Sequence, residues 1–129
     1  MPSRQDSRSQ RANRKYHDEN LRQMYAKGWR FWTEYRIDGI LPLVPGRRFR
    51  VTDISGWFVF QYAGRDAGGN DYVECYGPFT KSSTQISGSS YSFAVDRVRE
   101  TERRIWANPD TWPETRAEGA ERLGLNQAA

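Results

Sequence analysis

The stretch from Gly56 to Tyr76 is the one around which the rest of this 129-residue chain is organised. From Trp57 to Tyr62 the side chains are aromatic, β-branched or amphipathic without a break, a composition that suits a pleated and partly buried surface. Gly64, Gly68, Gly69 and Asn70 then supply the positive-φ positions that a reversal needs, and Tyr72 to Tyr76 is the returning strand. The segment reads as a β-hairpin. Alternation puts Phe58, Phe60 and Tyr62 on one face and Trp57 and Val59 on the other, so the pair is either buried on both sides or shows rings to a ligand.

Around the hairpin the sequence divides into an arm, a body and a tail. Residues 1–12 are rich in Ser, Arg and Gln, carry no large apolar side chain beyond Met1, and are expected to form a disordered basic arm. The body, residues 13–99, opens with a helix from Asn13 to Gly28, on which His17, Leu21, Met24 and Tyr25 recur at helical spacing. Trp29 to Ile37 alternates as a strand, Asp38-Gly39 and Pro45-Gly46 are turns, and Arg47 to Asp53 alternates again with Phe49 and Val51 inward and Arg48 and Arg50 outward. Gly77-Pro78 is expected to stop the hairpin, Phe79 to Ser90 to form a loop, and Tyr91 to Val98 to form the last of about five strands. In the tail, residues 100–129, Glu100 to Trp106 reads as helical or irregular. Thr111 and Glu114 have the form of a capping box for a short helix ending near Leu123, which Gly119 weakens.

A hydrophobic content of 36% with 14% aromatics calls for a small core built from rings. The single cysteine, Cys75, rules out an intrachain disulfide or a multi-cysteine metal cage and reads as a core thiol in a reducing, cytosolic setting. No apolar run approaches the length of a membrane span or a signal segment. His17 is the one histidine, the glycine-rich turn lacks a phosphate-binding fingerprint, and Asp66, Asp71 and Glu74 read as turn and surface groups, so neither an enzyme nor a cofactor is expected.

Binding is what remains. Residues 1–36 hold nine Lys or Arg against four Asp or Glu, whereas residues 100–129 hold four against six, so positive charge gathers at the front. Small curved barrels read single strands with exposed rings flanked by arginines. The candidates here are Trp32 with Arg30 and Arg36, Trp57 with Arg48 and Arg50, and Arg65 and Lys81 in flanking loops. The same surface chemistry also takes peptides, so a protein partner stands beside nucleic acid.

The runs Arg48-Phe49-Arg50-Val51, Gly56 to Phe60, Asp71 to Pro78 and Tyr91 to Val98 together resemble small proteins of actinobacterial phages over residues 47–99. The resemblance implies a phage origin and an SH3-like fold, and it confers no catalytic or binding residues. The expectation is therefore an α+β chain with an SH3-like antiparallel β-barrel of about five strands, an N-terminal helix and a C-terminal helical appendage. It would act in the host cytoplasm as a binding module for nucleic acid. The alternative is a protein-interaction module, either an inhibitor or adaptor of a host protein or a small virion component.

Overall fold

The computed structural model describes residues 8–80 and 89–127, with side chains from residue 14 onward. Helix α1 (Arg8–Ala26) is followed by strands β1 (Arg30–Trp32), β2 (Arg47–Val51), β3 (Ile54–Arg65), β4 (Asp71–Phe79), β5 (Ser89–Ala94) and β6 (Val98–Ile105), then by helix α2 (Arg116–Arg122). Short 3₁₀ turns lie at Val95–Arg97, Pro109–Thr111 and Leu125–Gln127. The chain is thus α+β, and its antiparallel sheet runs β5-β4-β3-β2-β6, with β1 added to the far end of β3. Among the described residues the sheet has six strands, not five, and its hydrogen-bonded path has two ends, so it is not a closed barrel.

β3 is long enough to serve three neighbours: β2 along its first half, β4 from Trp57 to Arg65 and β1 at Ala63 to Arg65. Register shifts against β4 at Trp57/Val59 and Phe60/Tyr62 break the strict alternation. Phe58 and Phe60 therefore enter the main core with Phe49, Val51, Val73, Cys75 and Phe93, whereas Tyr62 joins a second core with Leu21, Tyr25, Phe31, Ala117 and Ala120. Val59 faces a third, with Phe79 and Trp112. From Phe58 to Gly64 every residue is buried, so this part of the hairpin shows nothing to solvent on either side. Ring pairs such as Phe58–Phe93, T-shaped at 4.9 Å between centroids, fill the main core. Cys75 lies in that core, where burial pushes its thiol pKa up.

Several boundaries differ from the sequence expectation for identifiable reasons. α1 begins at Arg8, so residues 8–12 of the expected arm are helical, and residues 1–7 lie outside the described residues. The strand expected over Trp29 to Ile37 pairs only as far as Trp32, because further along that edge of β3 the Phe60 carbonyl accepts from the Gly46 amide and Val59 pairs with Arg48 of β2; a lone bridge, Tyr35 to Leu43, follows. Gly77-Pro78, a cis peptide, sits inside β4 rather than ending it. The expected strand Tyr91 to Val98 is split by a 3₁₀ turn into β5 and β6.

The tail is helical only in its second half, where α2 is the short helix expected to end near Leu123. Glu100 to Trp106, read as helical or irregular, forms most of β6, paired with β2 from Arg47 to Val51. The capping box is at Thr115 and Glu118: the Thr115 hydroxyl accepts from the Glu118 amide at 3.1 Å and the Glu118 carboxylate accepts from the Thr115 amide at 2.9 Å. α2 packs on α1 because residue 119 is glycine, where a Cβ would meet Leu21 Cδ1 at 2.7 Å. Arg122 then bridges the helices, pairing with Asp18 at 2.6 Å and with Glu114 at 2.8 Å.

Candidate nucleic-acid interface

Phe49 and Val51 point into the core, so Arg48 and Arg50 lie on the other face of β2. Trp57 comes from β3 and Glu102, Arg104 and Trp106 from the β6 side, and together these side chains form an alternating stack of cations and rings. The Arg48 guanidinium lies 3.5 Å from the Trp106 ring centroid and 5.3 Å from that of Trp57. Arg104 lies 4.3 Å from the Trp106 centroid and Arg50 5.6 Å from that of Trp57. The ladder therefore runs Arg50, Trp57, Arg48, Trp106, Arg104.

Its centre and its ends have different chemistry. Arg48 is 1% exposed, donates from Nη1 to the Thr80 carbonyl at 3.0 Å and has Nε 3.7 Å from a Glu102 carboxylate oxygen. That same oxygen accepts from Trp106 Nε1. Burial lowers the pKa of Arg48 and the Glu102 charge acts against that shift, so the guanidinium stays cationic near neutrality. Arg48 was expected to face a ligand; sealed between two indoles, it cannot reach one. Arg50 and Arg104 are exposed, and the Arg50–Glu100 pair, at 3.3 Å, leaves both side chains about half exposed at 47% and 56%.

The ladder stands on a strongly basic ribbon. β2 and β6 together carry six arginines against two glutamates, and Arg50, Arg99, Arg103 and Arg104 are exposed. A hollow lined by Arg50, Ser55, Gly56, Trp57, Pro78 and Phe79 opens beside it.

The other expected site residues do not join this face. Arg65 sits opposite Arg30 in the β1–β3 pairing, eight positions along β3 from Trp57, which at about 3.3 Å per residue puts the two groups about 25 Å apart. There Arg65 lies 5.3 Å from the Trp32 ring centroid and binds Asp71 through two nitrogens, Nε and Nη2. Asp71 also accepts from the Tyr35 hydroxyl. Arg65 thus has a carboxylate already in the place a phosphate would take. Trp32 is half-buried against Tyr35 rather than fully exposed. Arg30 donates to the carbonyls of Tyr25 at 3.1 Å and Trp29 at 2.6 Å, which turns it back toward the end of α1. Arg36 is exposed between β1 and β2, and Lys81 lies outside the described residues.

Of the eight expected residues, then, Arg48, Arg50 and Trp57 are brought together. Sequence reasoning missed Glu102, Arg104 and Trp106, because reading their segment as helical or irregular removed the period-two signal that places Glu102, Arg104 and Trp106 on one side. Comparison of the chain with protein-family models, with curated proteins and with solved structures gives no match.

Proposed function

We propose that this chain is a non-catalytic module that binds nucleic acid through the arginine-tryptophan face of β2, β3 and β6. The observation that carries the reading is the ladder, which holds Arg50 and Arg104 against indole rings at the two ends of a basic ribbon. Arginines ordered in this way lose little further freedom on meeting phosphate oxygens, and each contact releases counterions from the polyanion. An SH3-like architecture accompanies this reading. What supports it is the strand order β5-β4-β3-β2-β6, in which a 3₁₀ turn carries the chain from one edge strand to the other. A phage origin is proposed with it on the sequence resemblance, and a place in the host cytoplasm on that resemblance and the single cysteine.

A protein partner is the second reading, and β5 favours it. This edge strand, Ser-Ser-Tyr-Ser-Phe-Ala, has no charged side chain and exposes Tyr91, whereas the opposite edge, β6, is guarded by five charged residues. Fluorescence anisotropy with labelled single-stranded and duplex DNA and RNA, at low and at physiological salt, separates the two. Binding that weakens steeply with salt supports the nucleic-acid face, and absence of binding at low salt leaves the protein-partner reading.

A further inference from the structure

The hollow beside the ladder encloses about 450 Å³. One side is the half-buried ring of Trp57; Pro78 and Phe79 on β4 form the apolar remainder, and Arg50, Ser55 and Thr80 supply polar groups. Gly56 has φ +105°, and a Cβ there would meet Pro78 Cβ at 2.9 Å, so this glycine lets β3 lie directly against β4 at the hollow. The feature is concave, contains an aromatic face and adjoins the basic ribbon.

We infer that this hollow receives one unpaired nucleotide of a single-stranded nucleic acid, its base against Trp57 and its phosphate on Arg50. The inference rests on the nucleic-acid reading above and narrows it to a strand type. Two observations and one general property of duplexes converge on it. Trp57 is held by the buried Arg48, 5.3 Å from its centroid, while its second cation, the exposed Arg50 at 5.6 Å, is the one a base displaces from the ring as Arg50 turns to the phosphate. Arg50 is paired with Glu100 across a solvent-exposed contact, which a phosphate oxygen can replace at little cost. A duplex keeps its bases paired and stacked, so it can use the exposed arginines of the ribbon but cannot place a base in a hollow.

The test is an anisotropy titration of the full chain against labelled oligo-dT, oligo-U and a mixed-sequence duplex, for the natural sequence and for Trp57→Leu and Ser55→Leu. Ser55 is exposed and is not itself part of the ladder, and leucine there narrows the hollow, so the test stands even where Trp57→Leu unfolds. The expected result is tighter binding of one or both single strands than of the duplex. Each variant should lose roughly five- to a hundredfold on the single strands, the range that removing one base stack produces, and Ser55→Leu, which keeps every residue of the ladder, should lose less than about twofold on the duplex. In Ser55→Leu, equal losses on single strand and duplex, or unchanged single-strand binding, would overturn the hollow while leaving the basic face standing. Binding to neither strand type by the natural sequence would overturn both.

Discussion

The guanidinium of Arg48 lies 3.5 Å from the ring centroid of Trp106, and through this contact the end of β6 is fixed to the middle of the sheet. A cation with 1% exposure is tolerable only because its surroundings replace water: two indole faces, the Thr80 carbonyl and the Glu102 carboxylate. The same arrangement sets the positions of Arg50 and Arg104 at its ends. Stability and the proposed interface therefore share one set of side chains.

Arg48→Ala should be among the most damaging single changes in the chain. It removes the ladder's centre and leaves Glu102 half-buried without its cation, a loss of about 3–5 kcal/mol. Arg48→Lys should recover only a minor part, since an ammonium cannot lie flat between two rings. Urea unfolding of the three proteins checks this. An unchanged midpoint in Arg48→Ala would mean that the ladder contributes nothing to the fold.

Two carboxylates on β4 should respond to pH with opposite signs. The Arg65 guanidinium holds Asp71 below its ordinary pKa of 3.8, with the Tyr35 hydroxyl assisting and burial opposing. Its contribution is present above that value and is lost as pH falls through the lower folded value. Burial pushes Glu74 above its ordinary 4.5, against the Ser92 hydroxyl that donates to it, so its cost sets in as pH rises through the higher folded value. Asp71→Asn should destabilise by no more than about 1 kcal/mol at neutral pH and not in strong acid. Glu74→Gln should stabilise at neutral pH and not in acid. Thermal melts across that range test both, and a common sign for the two variants at neutral pH would contradict the assignment.

Gly119→Val should loosen α2 from α1 although it removes a residue that helices disfavour. The new side chain would enter space within 2.7 Å of Leu21 Cδ1 and 3.0 Å of the Glu114 carboxylate, and Leu21 is fully buried. Overpacking of this kind costs about 1–3 kcal/mol. Circular dichroism melts would show a lower transition, and a raised one would mean that the helices have room to spare.

The hairpin was legible from its run of strand-forming side chains and its glycines, although register shifts break its alternation, and α1 from the helical spacing of Leu21 and Tyr25. β6 was not, since Val-Arg-Glu-Thr-Glu-Arg-Arg-Ile has the charge content of a solvated helix and is a strand only because β2 offers it a free edge. Losing β6 meant losing Trp106 and Glu102, and without those partners Arg48 looked like a surface cation. Gly119 misled in the other direction: its weak helix propensity was plain, but the Leu21 side chain that requires a glycine lies in a different helix. Arg30 was expected beside Trp32 and Arg65 in a flanking loop; Arg65 instead closes β3, and the partners of the two, the carbonyls at the end of α1 and Asp71, depend on three-dimensional contacts. Local pattern thus located the rings and cations, and tertiary pairing decided which of them remain available.

The most direct test of the proposed interface is the salt dependence of single-strand binding for the natural chain and for the double variant Arg50→Ala/Arg104→Ala, which removes both exposed ends of the ladder and leaves Arg48 in place. If those ends contact phosphates, the double variant should bind more weakly and the slope of log K against log salt should fall by about 1.5, since each phosphate contact on a single strand contributes about 0.7. An unchanged slope and affinity would contradict the account, because nucleic acid would then bind elsewhere on the chain.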